Sequence, residues 1–249
     1  MDRREFLRLL GIAAAAGMPA ARAGAESGES LYDLEAFGNA RLLHFTDCHA
    51  QLRPIYFREP NVNLGVGPMK GQRPHVVGEA LLKQAGVPAG TARAHALTYL
   101  DFEEAARRYG AVGGFAHLKT LVDRLRGAVP EGRSLLLDGG DTWQGSGTAY
   151  WTRGKDMVGA CNRLGVDVMT GHWEFTYRDE EVLANVEEFA GDFVAQNVRV
   201  SEEAMFEGAA AFDEDSGHAF RPYTIKQMGD RRVAVIGQAF PYTPIANPS

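Results

Sequence analysis

A layered α/β fold is predicted for this chain because helical and strand patterns alternate along it. One set of segments has apolar residues at helical spacing, and another set consists of short runs of consecutive apolar residues. Three of the apolar runs lead into glycine, acidic or histidine residues, and open α/β sheets place their sites at such strand ends. The same pattern therefore predicts the fold class and the position of a site.

The composition is that of an ordinary globular domain. The chain has 249 residues, of which 45% are hydrophobic and 23% charged, enough for one large domain or two small ones. A net charge of −6 argues against a nucleic-acid surface, which would need a basic patch. The two cysteines, Cys48 and Cys161, match neither a disulfide framework nor a thiolate metal site. We expect two buried free thiols, with one bridge between them as the alternative.

Residues 1–23 are predicted to be a twin-arginine signal peptide. Arg3 and Arg4 precede a short apolar run over 9–16, whereas a bilayer span needs roughly 20 residues. Ala21-Arg22-Ala23 has the form of a cleavage site, and residues 24–40 would then be a polar leader. The alternative is a generic apolar N-terminus or an uncleaved anchor. Because the twin-arginine route carries folded proteins, often with a cofactor inserted, we expect a periplasmic metalloprotein.

The elements that follow are predicted in chain order from their apolar patterns. The first strand covers 41–46. An insertion over 58–93, rich in glycine and proline, contains one helical island at 78–84; we place it near the site mouth, with a plain surface loop as the alternative. The remaining elements are helices at 102–109, 115–126, 155–164 and 179–189, strands at 134–137, 166–169 and 193–196, and a hairpin of 223–228 and 232–236.

Three polar motifs follow three of these strands. Asp47 and His49 follow the first, and in an extended chain they would share one face, opposite Cys48. A carboxylate beside an imidazole is half of a metal-binding clamp, and a surface Asp and His at a loop mouth is the alternative. In the second motif, 138–142, two glycines allow the main chain to turn sharply before Asp141. The third motif is the segment 171–174. Three such motifs at successive strand ends indicate a metal site more specifically than any one motif does.

The three motifs together resemble the calcineurin-like metallophosphoesterases, in particular the 5′-nucleotidase branch, whose series is D-x-H, G-G-D, G-N-H-E. Within that branch the sequence is most similar to the thiosulfohydrolases of the sulfur-oxidising Sox system. The likeness is carried by the segments 45–52, 63–67, 98–102, 171–177 and 237–244. It covers 41–249 and implies a layered α/β/β/α sandwich. The chain would be an incomplete, N-terminal portion of it, without the C-terminal substrate domain.

The third motif departs from the nucleotidase pattern. The metal-binding Asn of that pattern is His172 here, and the His and Asp of its catalytic dyad are Trp173 and Thr176. Cleavage of a phosphate ester expels an alkoxide, a poor leaving group that gains from a general acid, and neither residue supplies one. A thiolate leaving group, whose thiol has a pKa of about 8.5, needs less help. Hydrolysis of a sulfur–sulfur bond therefore fits this sequence better.

The resemblance implies a hydrolase with two divalent metal ions, roughly 3.5–4 Å apart. The implied metal ligands are Asp47, His49, Asp141 and His172, with Asp141 as the bridge. Oxygen and nitrogen ligands suit manganese or zinc, and the family likeness favours manganese. Trp173 is expected to wall the pocket. Arg53 is expected to pair the substrate's sulfonate oxygens, with an ordinary surface arginine as the alternative.

The implied substrate is a sulfur group held on a cysteine of a separate Sox carrier protein, from which sulfate is released. Two other function classes stay open, a phosphohydrolase of the nucleotidase type and a non-catalytic exported binding module. The binding module is considered because four protein ligands cannot saturate two roughly octahedral ions. For the same reason we expect the chain to be a fragment, with exposed apolar surface where a missing part docks.

Other polar residues are predicted to have structural roles. His44, on the first strand, is expected to be a core histidine, and His117 to pack a helix. Glu174 is expected to orient a metal ligand rather than to bind the metal itself. Asn197 is expected either at the edge of the site or in a turn.

Overall fold

The computed structural model describes residues 38–58, 65–209 and 211–246. The predicted signal peptide at 1–23, most of the leader and residues 59–64 of the predicted insertion lie outside these ranges. Within them, no helix is both long enough and apolar enough to cross a membrane.

Helices and strands alternate as the sequence predicts. The helices are α1 (Gly78–Ala85), α2 (Ala92–Leu97), α3 (Phe102–Tyr109), α4 (Phe115–Gly127), α5 (Gly147–Thr152), α6 (Lys155–Leu164), α7 (Asp179–Glu188), α8 (Glu202–Phe206) and α9 (Thr243–Ala246). The strands are β1 (Arg41–Phe45), β2 (Ile55–Tyr56), β3 (Ala111–Val112), β4 (Ser134–Asp138), β5 (Val168–Met169), β6 (Asp192–Phe193), β7 (Tyr223–Met228) and β8 (Arg231–Ile236). Two short 3-10 helices cover Gly67–Met69 and Trp173–Thr176.

A four-stranded parallel sheet positions the polar motifs. Its strand order is β1-β4-β5-β6, and Phe45 of β1 lies opposite Asp138 of β4. Helices α6 and α7 connect successive strands of this sheet, because a parallel pair needs a crossover connection. All four strands therefore end at the same edge, where the segments after β1, β4 and β5 meet.

A β-hairpin packs beside this sheet. Strands β7 and β8 pair antiparallel around Gly229, whose φ of 62° suits the tight turn. The main chain after β6 joins the hairpin, since the N–H of Gln196 donates to the carbonyl of Gly237. A Cβ atom at Gly237 would lie 1.9 Å from the carbonyl oxygen of Val194, so only glycine allows this approach.

The core packs side chains of helices α4, α6 and α7 against the sheet. Trp143 is its centre: the side chain is fully buried and its ring packs against Phe189 and Phe193, with centroids 5.8 Å from each. Met157 and Cys161 on α6 are also fully buried. Because Trp143 follows Asp141 by two residues, the second polar motif is fixed directly to this core.

Several predictions are wrong in detail. β5 and β6 are two-residue strands, shorter than the predicted 166–169 and 193–196, and the chain from Ala92 to Leu97 is a helix in and beyond the predicted insertion. His44 is exposed rather than in the core, because burial alternates along β1 and His44 falls on its open face. His117 is also exposed; its Nδ1 lies 2.7 Å from the carbonyl oxygen of Gly113, so it bonds the start of its own helix.

The cysteines and the exposed apolar residues agree with the predictions in part. Both thiols are free, but only Cys161 is buried and Cys48 is half-buried. Leu42 on β1 and Tyr223, Ile225 and Ile236 on the hairpin are exposed. These side chains form apolar surface of the predicted kind; its docking role stays a prediction.

Candidate metal centre

The loop after β1 brings Asp47 and His49 to the sheet edge in an unexpected conformation. Asp47, His49 and Ala50 have φ values of 55°, 47° and 51°, so this segment is left-handed and not extended. The predicted side-chain alternation about Cys48 is therefore wrong as a geometric argument. Hydrogen bonds hold the conformation, since the N–H of Asp47 donates to the carbonyl of Gly140 and that of His49 to the carbonyl of Asp141.

The two glycines of the second motif allow the three loops to meet. A Cβ atom at Gly139 would lie 2.7 Å from Thr46 Oγ1, and one at Gly140 would lie 2.8 Å from the carbonyl oxygen of Thr170. Gly140 also has a φ of 92°, which side chains rarely adopt. The first and third loops can thus approach the second from opposite sides only because both positions lack a side chain.

Three of the four predicted ligands lie together and the fourth is adjacent. Asp47, Asp141 and His172 each offer a ligand atom within 4.8 Å of the others. Nε2 of His49 is 3.6 Å from Oδ2 of Asp141, and Nδ1 of His172 is 3.4 Å from the same oxygen. Oδ2 of Asp141 therefore lies close to both imidazoles. Asp141 is the residue predicted to bridge the two metal ions.

The unpartnered atoms of this cluster fit a cation. Oδ2 of Asp141 and Nδ1 of His172 are buried and have no hydrogen-bond partner among the described residues. Buried polar atoms are almost always bonded, so an orphaned carboxylate oxygen and imidazole nitrogen facing each other suggest a group that binds both. Carboxylate oxygen and imidazole nitrogen are a donor set for manganese or zinc. The ligand roles of all four residues stay predictions.

Burial shapes the electrostatics below the cluster. Burial raises the pKa of Asp141 above its usual range, although the neighbouring imidazoles oppose the shift. Asp138, at the end of β4, is 3% exposed, and burial raises its pKa to about 8. Burial likewise raises the pKa of the Cys48 thiol to about 11, so this cysteine is no thiolate nucleophile at neutral pH.

Glu174 was predicted to orient a metal ligand, whereas three other residues that contact the ligands were not predicted. Gln144 donates to Oδ1 of Asp141 at 3.1 Å, which leaves Oδ2 as the free oxygen. The ring of Phe240 stacks on His172 with a centroid distance of 4.1 Å, and Thr243 donates to the carbonyl of His172. The segment 237–244 contributes to the family likeness, and its aromatic residues were the signal for a contact with the site.

The remaining predicted residues differ in how close they come to the cluster. Trp173 lies beside the imidazole of His172, with ring centroids 6.0 Å apart, and its role as a wall of the pocket stays a prediction. The guanidinium of Arg53 is exposed, and among the described residues it makes no hydrogen bond or ion pair with the cluster. Asn197 exchanges two hydrogen bonds with the main chain of Ala239, so it fixes the segment that carries Phe240. Asn197 therefore has a structural role.

A cavity of about 570 Å³ adjoins the cluster. Gln144, which donates to Asp141, lines the cavity and links it to the cluster. None of the four predicted ligands is among its lining residues, which also include Tyr150, Arg153, Thr176, Tyr177, Arg178 and Glu181. Ligand pockets commonly have volumes of about 300–1,000 Å³. The cavity is therefore large enough for more than a sulfonate or phosphate group.

Comparison with known proteins agrees with the resemblance. No protein-family model matches the chain. The sequence is 33% identical to the 5′-nucleotidase of Bos taurus over 142 residues, which are 55% of this chain and 23% of that protein. The crystal structure of a 5′-nucleotidase precursor from Thermus thermophilus superposes on 82% of the chain with a TM-score of 0.50 at 22% identity, and is matched over 29% of its length. The fold is thus a mixed α/β fold of the kind found in the 5′-nucleotidases.

A particular relative within this class is the sulfate thiohydrolase SoxB of Thermus thermophilus, solved in complex with glycerol. It is 38% identical, superposes on 87% of this chain with a TM-score of 0.61, and is matched over 38% of its own length. The resemblance to part of a SoxB-like protein of the 5′-nucleotidase branch is therefore confirmed. The chain spans less than two fifths of each of these relatives.

Proposed function

We propose that this chain is part of a periplasmic dinuclear-metal hydrolase that releases sulfate from a cysteine-S-thiosulfonate on a Sox carrier protein. The supporting observation is the surroundings of Trp173 and Thr176, where a nucleotidase dyad would be. The Thr176 hydroxyl donates to the carbonyl of Trp173 at 2.8 Å, and the Trp173 ring packs near Phe240 with centroids 5.9 Å apart. Neither side chain offers a proton to an alkoxide, so the site favours a leaving group that needs none.

The reaction breaks the sulfur–sulfur bond of the substrate. Water adds a hydroxyl group to the sulfonate sulfur, and the bond between that sulfur and the sulfane sulfur attached to the carrier's cysteine breaks. The sulfane sulfur leaves with the electron pair, stays bonded to the cysteine and takes up the second proton of the water. The products are hydrogen sulfate and a cysteine persulfide. When bound, divalent ions would supply hydroxide at neutral pH and stabilise the negative charge that develops on the sulfonate oxygens.

The chain's own residues prepare the site for this reaction. Asp47, His49, Asp141 and His172 would hold the metal, as the orphaned atoms of Asp141 and His172 suggest. Trp173 would exclude water from one side of the imidazole of His172. The adjoining cavity would take the part of the substrate beyond the sulfonate. Its charged lining residues are two arginines, Arg153 and Arg178, and one acid, Glu181.

The export route and the metal are inferred from the sequence. The twin arginines at 3–4 and the predicted cleavage site at 21–23 support export to the periplasm. Manganese is favoured over zinc by the family likeness.

A phosphohydrolase of the nucleotidase type is the second candidate. The identity to the bovine 5′-nucleotidase is the observation in its favour. Against it stand Trp173 and Thr176, neither of which is a general acid.

The two candidates differ in the product that they release. We would incubate the expressed chain and added Mn²⁺ with a peptide carrying a cysteine S-thiosulfonate, and separately with adenosine monophosphate. Sulfate release without phosphate release is expected. Phosphate release that exceeds sulfate release would establish the nucleotidase instead, and metal binding without turnover of either substrate would favour the exported binding module.

A double variant sharpens the comparison. Trp173→His with Thr176→Asp restores the residue types of the nucleotidase dyad and should raise phosphate release at least tenfold, because general acid catalysis is worth about 10²–10⁴-fold. The control is Trp151→His, at a tryptophan that is 78% exposed on α5 and should leave both products unchanged. No gain in the double variant would contradict the inference from the missing dyad.

A further inference from the structure

Glu174 is a fully buried carboxylate whose partners are all main-chain N–H groups. Its Oε1 accepts from Thr142 at 2.8 Å and from Trp143 at 3.0 Å. Its Oε2 accepts from Asp141 at 3.0 Å and from His172 at 2.7 Å. The carboxylate thus bonds both the turn that carries Asp141 and the residue His172 itself.

These four bonds leave Glu174 no capacity to bind metal. A carboxylate has about four lone-pair positions, and four N–H donors occupy them. The side chain is also 0% exposed. Glu174 therefore acts on the centre through other residues.

The turn that Glu174 bonds directs three main-chain N–H groups at its carboxylate. Gly140 and Asp141 have φ values of 92° and 57°, and the N–H groups of the three residues from Asp141 to Trp143 converge. Successive N–H groups in such a conformation form a concave anion-binding nest. A non-glycine residue in the left-handed region costs energy that the surroundings must offset, and here the chain's own carboxylate fills the nest.

We propose that Glu174 is a positioning residue that presets the distance between Asp141 and His172 and thereby sets the affinity of the centre for a divalent metal ion. The inference rests on the proposed metal centre. With both turns tied to one carboxylate, Oδ2 of Asp141 and Nδ1 of His172 stay 3.4 Å apart before any ion binds. Little rearrangement is then needed on binding, which is how residues behind the ligands raise metal affinity.

Replacement of Glu174 by Gln tests this role. The amide keeps the size of the side chain but replaces one acceptor oxygen by a donor that faces N–H groups. Mn²⁺ alone is titrated into the native chain and into Glu174→Gln, and free Mn²⁺ is followed by electron paramagnetic resonance. The dissociation constant should rise by about 10–100-fold, the usual effect of losing a partner of a ligand.

Asn185 provides a matched control. It too is fully buried, and its amide donates to the carbonyl of Arg153 at 2.7 Å, away from the cluster. Asn185→Ala should lower the melting temperature and leave the dissociation constant of the folded protein within about twofold of native, because Asn185 bonds neither turn of the centre. This separates a loss of stability from a loss of metal affinity.

The outcomes distinguish the inference from the proposed function. A folded Glu174→Gln protein with native Mn²⁺ affinity overturns the inference alone. If this variant does not fold, Glu174→Asp replaces it; one methylene shorter, it cannot reach both turns, and a native dissociation constant there would equally overturn the role. Failure of the native chain to bind Mn²⁺ contradicts the metal centre and the inference together.

Discussion

Asp138 holds a proton that a surface aspartate would have lost. Burial raises its pKa to about 8, and the nearby Glu174 carboxylate contributes to the same shift. In the unfolded chain the pKa is about 3.9. The folded state therefore binds the extra proton between these values, so the stability that Asp138 contributes is complete below about pH 3.9 and is lost as the pH rises through about 8.

The substitution Asp138→Asn removes this titration. The amide oxygen can still accept from the N–H of Gly140 and the hydroxyl of Thr142, which now bond Oδ1. Urea unfolding at about pH 4, 6 and 8 should show the variant gaining stability relative to the native chain by several kcal/mol, since one pKa unit corresponds to about 1.4 kcal/mol. Asp123→Asn, at an exposed position of α4, is the control and should parallel the native chain. A parallel course for Asp138→Asn would contradict the buried, protonated aspartate.

At the scale of elements, the sequence predicted what depends on local pattern. Helices 102–109 and 155–164 were predicted to the residue, because Gly110 and Gly165 end them at positive φ. The six-residue helix α5 was missed because its sequence has no apolar periodicity. The left-handed conformation of Asp47 and His49 could not be predicted, since it is held by carbonyls of another loop. The candidate ligand types could be read from the sequence, but the bond from Gln144 to Asp141 could not, because it depends on the conformation of the folded loop. The aromatic residues of 237–244 pointed to a contact with the site but not to the stacking of Phe240 on His172, which is a tertiary contact.

The close approach of the loops at Gly139 and Gly140 predicts that a side chain at Gly140 destabilises the fold. Gly140→Ala places a Cβ atom 2.8 Å from the carbonyl of Thr170 at a positive φ, so the variant should lose at least about 2 kcal/mol of stability. Gly127→Ala is the control: it ends α4, has nothing within 4 Å of the added carbon, and should be neutral or stabilising by up to about 1 kcal/mol. Both are measured by urea unfolding. Equal stability of the two variants would show that the loops do not need this close approach.

For the whole molecule, metal binding should appear as stability. The fold brings Asp47, Asp141 and His172, from three segments of the chain, together in one cluster. A divalent ion bound there at about 100 times its dissociation constant should add about 2.7 kcal/mol to the unfolding free energy. Differential scanning calorimetry should show a higher melting temperature with Mn²⁺ and its reversal by a chelator. In Asp141→Asn the increase should vanish; an undiminished increase would place the ion elsewhere.

The most direct measurement is anomalous X-ray diffraction at the manganese edge from crystals of the chain grown with Mn²⁺. We predict an anomalous peak within coordination distance, about 2.0–2.3 Å, of both Oδ2 of Asp141 and Nδ1 of His172, the two buried atoms that face each other without a hydrogen-bond partner in the described part of the chain. Glu174 should stay bonded to the main chain and lie outside that distance. A peak only at other residues, or none at full Mn²⁺ saturation, would contradict the metal centre.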